Sequence, residues 1–565
     1  MTSHRDPIAA ERALLREARA KGRLATFAAY IRCSGPGWLQ GAITLGGGSL
    51  AGSLYLGVIS GYSLLWIQVV AMGAGVVMLS AITFVTLSTG KRPFDAIREH
   101  INPVLAWGWA IATLVANIVW CLPQFSVATA AALQNLAPGL PDAIGDSGSK
   151  AVVCAAILVT SIALAWLYDS GRRGVKAFEQ ILKLMVAMIV VCFFGVVFKL
   201  AVSGGDFSFG ALLAGFVPDP GLLGRPVDTL TEAIAATGAH ASHWSGVIVA
   251  EQRDIMITAT ATAVGINMTF LLPYSILKKG WDKESRGLAI FDLGSGLLIP
   301  FVLATSCVVI AASSQFHGKP QPGVLEGTAP AAMSNQFNGL LEARLKAEIG
   351  AEAVAAMPAD ARAAAIAALP EEDRRIAAML VRRDAFHLAE SLEPLTGRTM
   401  AHYVFGLGVL GMAVSSIIML MLISGFTVCE ILGLPQEGWP HRLGCLIPSV
   451  GVLGPFIWSG KTQFWLAVPT SVFAMTLLPI AYFTFFLMIN NRALMGEEIL
   501  RGGKRALANA IMIVTLLLVG FCAGWAVWTK SHWVGVGAVA AFIALAVIVH
   551  FVRPPRHAGD STGNS

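Results

Sequence analysis

GPGWLQGAITLGGGSLAGSLYLG, residues 35–57, decides the fold. The stretch is apolar and long enough to cross a bilayer, which takes about 20 mostly apolar residues as a helix. Yet Gly46, Gly47 and Gly48, followed by Ser49, stand in its middle. Glycine is a poor helix former because it loses the most backbone freedom on folding and shields none of its own peptide groups. In hydrocarbon, backbone that leaves the helical ladder is tolerated only where it is buried in protein or lines a watery cavity. Two small residues one turn apart would be enough for close helix packing. A glycine triplet with a serine behind it points instead to an unwound stretch at Gly46–Ser49.

A second apolar segment carries the same mark. ATATAVGINMTFLLPYSILKK, residues 259–279, has Gly265, Asn267, Thr269 and Pro273 near its middle, and a proline removes a backbone donor from a helix interior. An interruption is therefore expected at Asn267–Pro273, facing the first. Two interrupted segments in matching halves of a membrane protein are the signature of inverted repeats with a binding site between the broken helices. Spans are expected near 36–58, 61–89, 104–134, 150–168, 180–202, 256–277, 290–314, 400–428, 442–458, 463–489, 507–528 and 533–552. The expected fold is thus an all-α polytopic membrane protein with a 5+5 inverted repeat, about twelve transmembrane helices and broken helices 1 and 6. Its parts are a basic N-terminal segment at 1–34, a first repeat at 35–202, an extracytoplasmic loop at 203–255, a second repeat at 256–490 that contains a polar extracytoplasmic loop at 315–399, and two further spans with a tail at 491–565.

Composition agrees. The chain is 55% hydrophobic and 13% charged, against roughly 25% charged in soluble domains, and its mean hydropathy is +0.68. Arg5, Arg12, Arg16, Arg19, Lys21, Arg23 and Arg32 precede span 1. Lys91, Arg92 and Arg98, then Arg172, Arg173 and Lys176, then Lys278, Lys279, Lys283 and Arg286, then Arg492, Arg501, Lys504 and Arg505 fall in alternate loops; Arg553 and Arg556 follow span 12. Short loops on the other side are nearly bare, apart from Lys461 and Lys530. The positive-inside rule then places both termini in the cytoplasm, with the protein integral to a bacterial cytoplasmic membrane. The same basic N-terminal stretch also has the character of a helix lying on anionic lipid.

The polar loops hold few chemical signals. The Ala-rich, charged stretch inside 315–399, punctuated by Pro358 and Pro370, is expected to form two or three short amphipathic helices. His240 and His243 in the other long loop could capture a metal, but a pair without carboxylate support reads as surface decoration. The eight cysteines lie in or beside apolar segments without CxxC or zinc spacing, so they read as buried thiols. No nucleotide-binding loop, nucleophile elbow or zinc-protease signature is present, so the chain does not read as an enzyme and no cofactor is expected. The expected partners are the lipid bilayer and a small transported ion or solute, with no nucleic acid.

Ordered anchors carry a family resemblance. GPGWL (35–39), GYSLLW (61–66), TGKRPFDAIREH (89–100), RRGVKAFEQIL (172–182), FDLGSG (291–296) and RALMG (492–496) together resemble the Nramp (natural resistance-associated macrophage protein) family of divalent metal transporters. The resemblance implies the LeuT-type inverted repeat. It also implies where a metal would sit, and there the chain departs from the family. Gly46, Gly47, Gly48 and Ser49 stand where the family has Asp-Pro-Gly-Asn. Thr269, Phe270 and Leu271 pair with its Met-Pro-His, with Met268 one position off. ANIVWCLPQFS (116–126) replaces a helix whose carboxylates transfer protons.

The expected substrate-lining residues are therefore Gly46, Gly47, Gly48, Ser49, Asn267, Met268 and Thr269, with Ser53, Asn117, Gln124 and Tyr274 behind them. They offer neutral dipoles and no fixed anion. A divalent ion stripped of its water in mid-membrane needs oxygen or softer ligands and usually a carboxylate. The expected activity is secondary-active transport of a divalent cation that keeps much of its hydration shell, Mg²⁺ being the natural candidate. The alternatives are a small neutral or zwitterionic solute, or a sensor that binds without transporting. Asp292, opening span 7, is expected to stabilise a helix N-terminus rather than relay protons.

Overall fold

The computed structural model describes residues 7–202, 208–457 and 467–552. Arg5, Lys461, Arg553 and Arg556, used above for orientation, lie outside the described residues. Among the described residues there is no strand. Nine helices are long and apolar enough to cross a membrane, or ten when the bent pair Pro36–Thr44 and Gly47–Ser60 is taken as one span. One of them, Gly502–Val552, is broken at His532 (φ 44°, ψ −136°), so spans 11 and 12 follow each other across a tight reversal.

Span 1 bends by 56° between its two half-helices. The break is earlier and shorter than expected: Leu45 and Gly46 leave helical geometry, whereas Gly47, Gly48 and Ser49 form the first turn of the second half-helix. Span 6 breaks at Val264–Gly265, between Ala241–Ala263 and Ile266–Lys278. The expected break at Asn267–Pro273 is not there, because Pro273 is accommodated inside the second half-helix at the cost of one backbone donor. The first half of span 6 begins at Ala241, well before the expected 256, and so takes His243 and Trp244 out of the 203–255 loop.

The two breaks face each other because span 1 packs closely on spans 6 and 7. A Cβ on Gly37 would lie 2.1 Å from the Asp292 carbonyl oxygen, and one on Gly41 2.2 Å from that of Gly296. Only residues without a side chain permit that approach. Asp292 is fully buried and accepts from the backbone N–H groups of Gly35 (3.0 Å) and Gly37 (2.7 Å). It does stabilise a helix N-terminus, but that of span 1 rather than its own.

Span 9 is the largest departure. Residues 442–458 were expected to form one helix, but Trp439–Cys445, Ile447–Leu453 and Gly454–Ile457 are three short turns in succession. They lie against span 3, where a Cβ on Gly451 or Gly454 would meet the Cys121 or Leu122 backbone below 3 Å.

The Ala-rich middle of the 315–399 loop forms four helices rather than two or three, Ala331–Ile349, Ala351–Ala356, Ala359–Ala367 and Glu371–Leu380, and Ala385–Thr396 follows them. Pro330, Pro358 and Pro370 each stand just before a helix, so proline here starts helices as well as ending them. The cap has its own polar core. Arg344 and Asp373 are both 1% exposed and pair at 3.1 Å, and the buried Trp244 indole donates to the same carboxylate at 2.6 Å. Arg382 bonds Glu251 of span 6 at 3.4 Å, and Glu251 in turn accepts from Tyr55 of span 1 at 2.8 Å. The cap thus holds the second half of span 1 and the first half of span 6.

Removing one member of a buried ion pair strands the other. Asp373→Ala is expected to destabilise the cap by about 3 kcal/mol. It should appear as faster proteolytic cleavage within 331–380, with thermal unfolding of the membrane core unchanged.

Candidate functional site

At the crossing of the two breaks lies a cavity of about 40 Å³, lined by Ile43, Thr44, Gly46, Gly48, Ser49, Trp120, Pro123, Gln124, Thr262, Gly265, Asn267, Met268, Ser416 and Leu420. A buried water needs roughly 10–15 Å³ by this measure, so the space suits about three waters or one ion with part of its shell.

Each break exposes carbonyls at the end of one half-helix and N–H groups at the start of the next, and both sets find local partners. The Ser49 hydroxyl accepts from Gly46 N–H (3.1 Å) and lies 2.8 Å from the Thr44 carbonyl and 2.9 Å from that of Gly46. Gly47 N–H donates to Gln124 Oε1 at 2.9 Å. From span 8, Ser415 donates to the Ala42 carbonyl (2.9 Å) and Ser416 to that of Ile43 (3.2 Å). In span 6, Met268 N–H bonds Asn267 Oδ1 at 2.9 Å. The Thr44 hydroxyl lies 3.2 Å from the Ala263 carbonyl and 3.1 Å from Met268 Sδ, so it joins the two breaks directly. Gly265 is required where it stands, since a Cβ there would lie 2.1 Å from the Trp120 ring.

Of the expected residues, Gly46, Gly48, Ser49, Asn267, Met268 and Gln124 line the cavity. Gly47 does not line it; its amide is turned toward Gln124. Thr269 points the other way, accepting from the Trp109 indole at 2.9 Å and bonding the Ile266 carbonyl. Ser53 accepts from Gln68 at 3.2 Å, outside the cavity. Asn117 sits behind the lining, accepting from Asn267 (3.1 Å) and donating to Ser424 (3.0 Å). Tyr274 is stacked between Phe270 and Phe426. Thr44, Trp120, Thr262 and Ser416 are lining residues that the sequence reading missed. The Ser415–Ser416 pair in the apolar run of span 8 was the available signal, since adjacent hydroxyls in hydrocarbon need acceptors.

None of the lining side chains is an acid or a base. Among the described residues, no group of three or more histidine, cysteine, aspartate or glutamate side chains is placed to hold a metal. All eight cysteines are buried and unpaired.

The sequence model of natural resistance-associated macrophage protein-like chains matches residues 37–340 and 363–528. The chain belongs to the Nramp family. It is 23% identical to the divalent metal cation transporter MntH of Burkholderia ambifaria over 31% of its own length and 37% of that protein. It is 24% identical to the divalent metal cation transporter MntH of Agrobacterium fabrum over 54% of its length and 59% of that protein. It therefore spans less than two thirds of the length of these curated relatives. A crystal structure of the manganese transporter of Eremococcus coleocola superposes with a TM-score of 0.61 at 13% identity, covering 93% of this chain and 95% of that one. That likeness carries the fold, the LeuT-type inverted repeat of an integral membrane protein.

The break at Val264–Gly265 places Met268 in the first turn of the second half-helix, with its thioether in the cavity.

Two substitutions separate lining from packing. Ser49→Leu is expected to fill the cavity and abolish uptake. Thr269→Val removes the acceptor of Trp109 and should cost about 1–2 kcal/mol of stability while uptake persists. Thermal unfolding and uptake on the same preparations check both, and loss of uptake at unchanged stability in Thr269→Val would put that hydroxyl back in the cavity.

Proposed function

We propose that this Nramp protein is a secondary-active transporter of a divalent cation, which it accepts in the cavity between spans 1 and 6 with much of its water attached. One observation carries the reading. Three N–H groups at the starts of the second half-helices are already bonded by the protein's own side-chain oxygens: Gly46 by Ser49, Gly47 by Gln124 and Met268 by Asn267. Half-helix N-termini are where this fold takes a substrate carboxylate, and here three of those donors are taken. The negative ends of the two first half-helices, at Thr44 and Ala263, meet at the same place. These carbonyls accept from Ser49 and Thr44, but a carbonyl oxygen has two lone pairs and can face a cation as well.

Size supports the same conclusion. A space suited to about three waters is too small for a zwitterion such as an amino acid but accepts an ion with part of its shell. With no carboxylate in the lining, removing the last water from a divalent ion has no compensating charge. Mg²⁺, which gives up its water reluctantly, suits such a site better than an ion that must be stripped. The thioether of Met268 adds one soft contact on one wall. Both termini are read as cytoplasmic from the loop charges, and uptake would then run from the capped side to the basic side.

Proton coupling through span 3 has no chemical basis in this chain. Groups that relay protons must change charge, and Asn117 and Gln124 cannot.

Purified protein in liposomes is expected to take up Mg²⁺ faster than Mn²⁺, to change Mg²⁺ uptake by less than about twofold in Met268→Leu, and to leave an imposed pH gradient intact. Flux of an organic solute with no response to any divalent ion would remove the metal reading. Micromolar Mn²⁺ binding at this cavity would show that the ion is held stripped, and stoichiometric collapse of the pH gradient would restore proton coupling.

A further inference from the structure

The helix Arg23–Cys33 joins span 1 almost without a break, ending shortly before Pro36. One side of it packs inward: Ala29 and Cys33 are buried, and Tyr30 and Phe27 each place their ring 5.5 Å from Phe291 at the start of span 7. The other side carries Leu24 (87% exposed), Phe27 (53%) and Ile31 (54%). Residues spaced by three and four share a helix face, so these form one stripe. Leu24 and Ile31 are largely uncovered by protein, Phe27 keeps half of its surface exposed while it touches Phe291, and the stripe does not end at the helix. Through Phe27 and Phe291 it runs into the outward side of span 7, where Ile290 (54%), Ile299 (55%) and Leu303 (45%) are also uncovered.

Charge marks the depth. Arg23 and Arg32 stand at the two ends of the stripe, exposed, with no acidic partner among the described residues. The arginines of the preceding helix, Pro7–Lys21, are used otherwise. Arg12 pairs with Asp282 at 2.8 Å, Arg16 with Glu284 at 2.7 Å, and Arg19 donates to the Glu284 carbonyl at 2.6 Å, while Trp281 donates to Glu11 at 2.9 Å. That helix is a clamp on the turn that follows the second half of span 6.

We propose that Arg23–Cys33 is an interfacial anchor, its Leu24–Phe27–Ile31 face sunk in the acyl boundary and Arg23 and Arg32 paired with anionic lipid headgroups. An apolar face with cations at its margins is the pattern of a helix lying in the plane of a charged leaflet, and continuity with the uncovered side of span 7 puts lipid, not water, against it. The Pro7–Lys21 clamp ties the anchor to the turn that follows the half-helix lining the cavity. The inference rests on the chain's residence in a membrane and not on which solute it carries.

The test uses the full chain with a nitroxide at Leu24→Cys or, separately, at Ile31→Cys, the eight native thiols being buried and the unsubstituted protein giving the background. In vesicles of phosphatidylcholine with phosphatidylglycerol, collisions with oxygen should exceed those with a water-soluble nickel chelate about threefold or more. The ratio should fall in pure phosphatidylcholine, and adding Arg23→Gln with Arg32→Gln should abolish the difference between the two lipids. A preference for the nickel chelate would place the face in water and overturn the proposal. Spin–spin broadening that grows with protein density would assign the face to a second copy instead, and equal depth in both lipids would remove the anionic headgroups.

Discussion

Everything in the membrane core depends on how backbone groups freed by a helix break are satisfied where no bulk water is present. Each interrupted span releases carbonyls and N–H groups, and an unmet one in hydrocarbon costs several kcal/mol. Here the partners are short polar side chains: Ser49 closes on its own break, Ser415 and Ser416 reach across from span 8, Gln124 comes from span 3, and Thr44 bridges span 1 to span 6. These residues place the cavity, because the breaks can persist only where those partners converge.

The same accounting leaves the site without a formal charge. Side-chain oxygens take three of the exposed donors, side-chain hydroxyls reach the carbonyls of Ala42, Ile43, Thr44 and Ala263, and no formal charge lies in the lining of the space between them. Such a site has orientation but little depth of electrostatic potential, so it discriminates by size and hydration more than by ligand strength. The glycines at 37 and 41 serve this geometry indirectly. They let span 1 approach the span 7 backbone, and Asp292 then holds the N-terminal end of span 1 through the amides of Gly35 and Gly37.

Much of this was legible in the order of residues. Apolar length and loop charge mark out most of the spans, and glycine, proline and polar residues in mid-span mark the two that break. Six of the expected residues, Gly46, Gly48, Ser49, Asn267, Met268 and Gln124, border one cavity. Where the reading missed, the cause lies in what a linear pattern averages over. Pro273 is a strong breaker by rule, but span 6 breaks at Gly265, where the Trp120 ring leaves no room for a side chain. Thr269 and Asn267 are two residues apart and so lie on different helix faces, and only one of them borders the cavity. Residues 442–458 are apolar enough for a span, yet the described part, 442–457, lies in short turns with glycine contacts to span 3.

By itself the sequence determined the solvent of this protein, its helical class and the existence of two interrupted helices, because hydrophobic length and the lack of a side chain or donor act locally on each segment. It also determined that the site would be neutral, since no acid or base occurs near either break. Only the tertiary structure decided the residue at which each helix stops, which polar side chains face the cavity and which face a neighbouring span. Those outcomes depend on contacts between segments far apart in the chain, Thr44 with Met268, Gly47 with Gln124 and Gly265 with Trp120, and a linear pattern carries no distance between them.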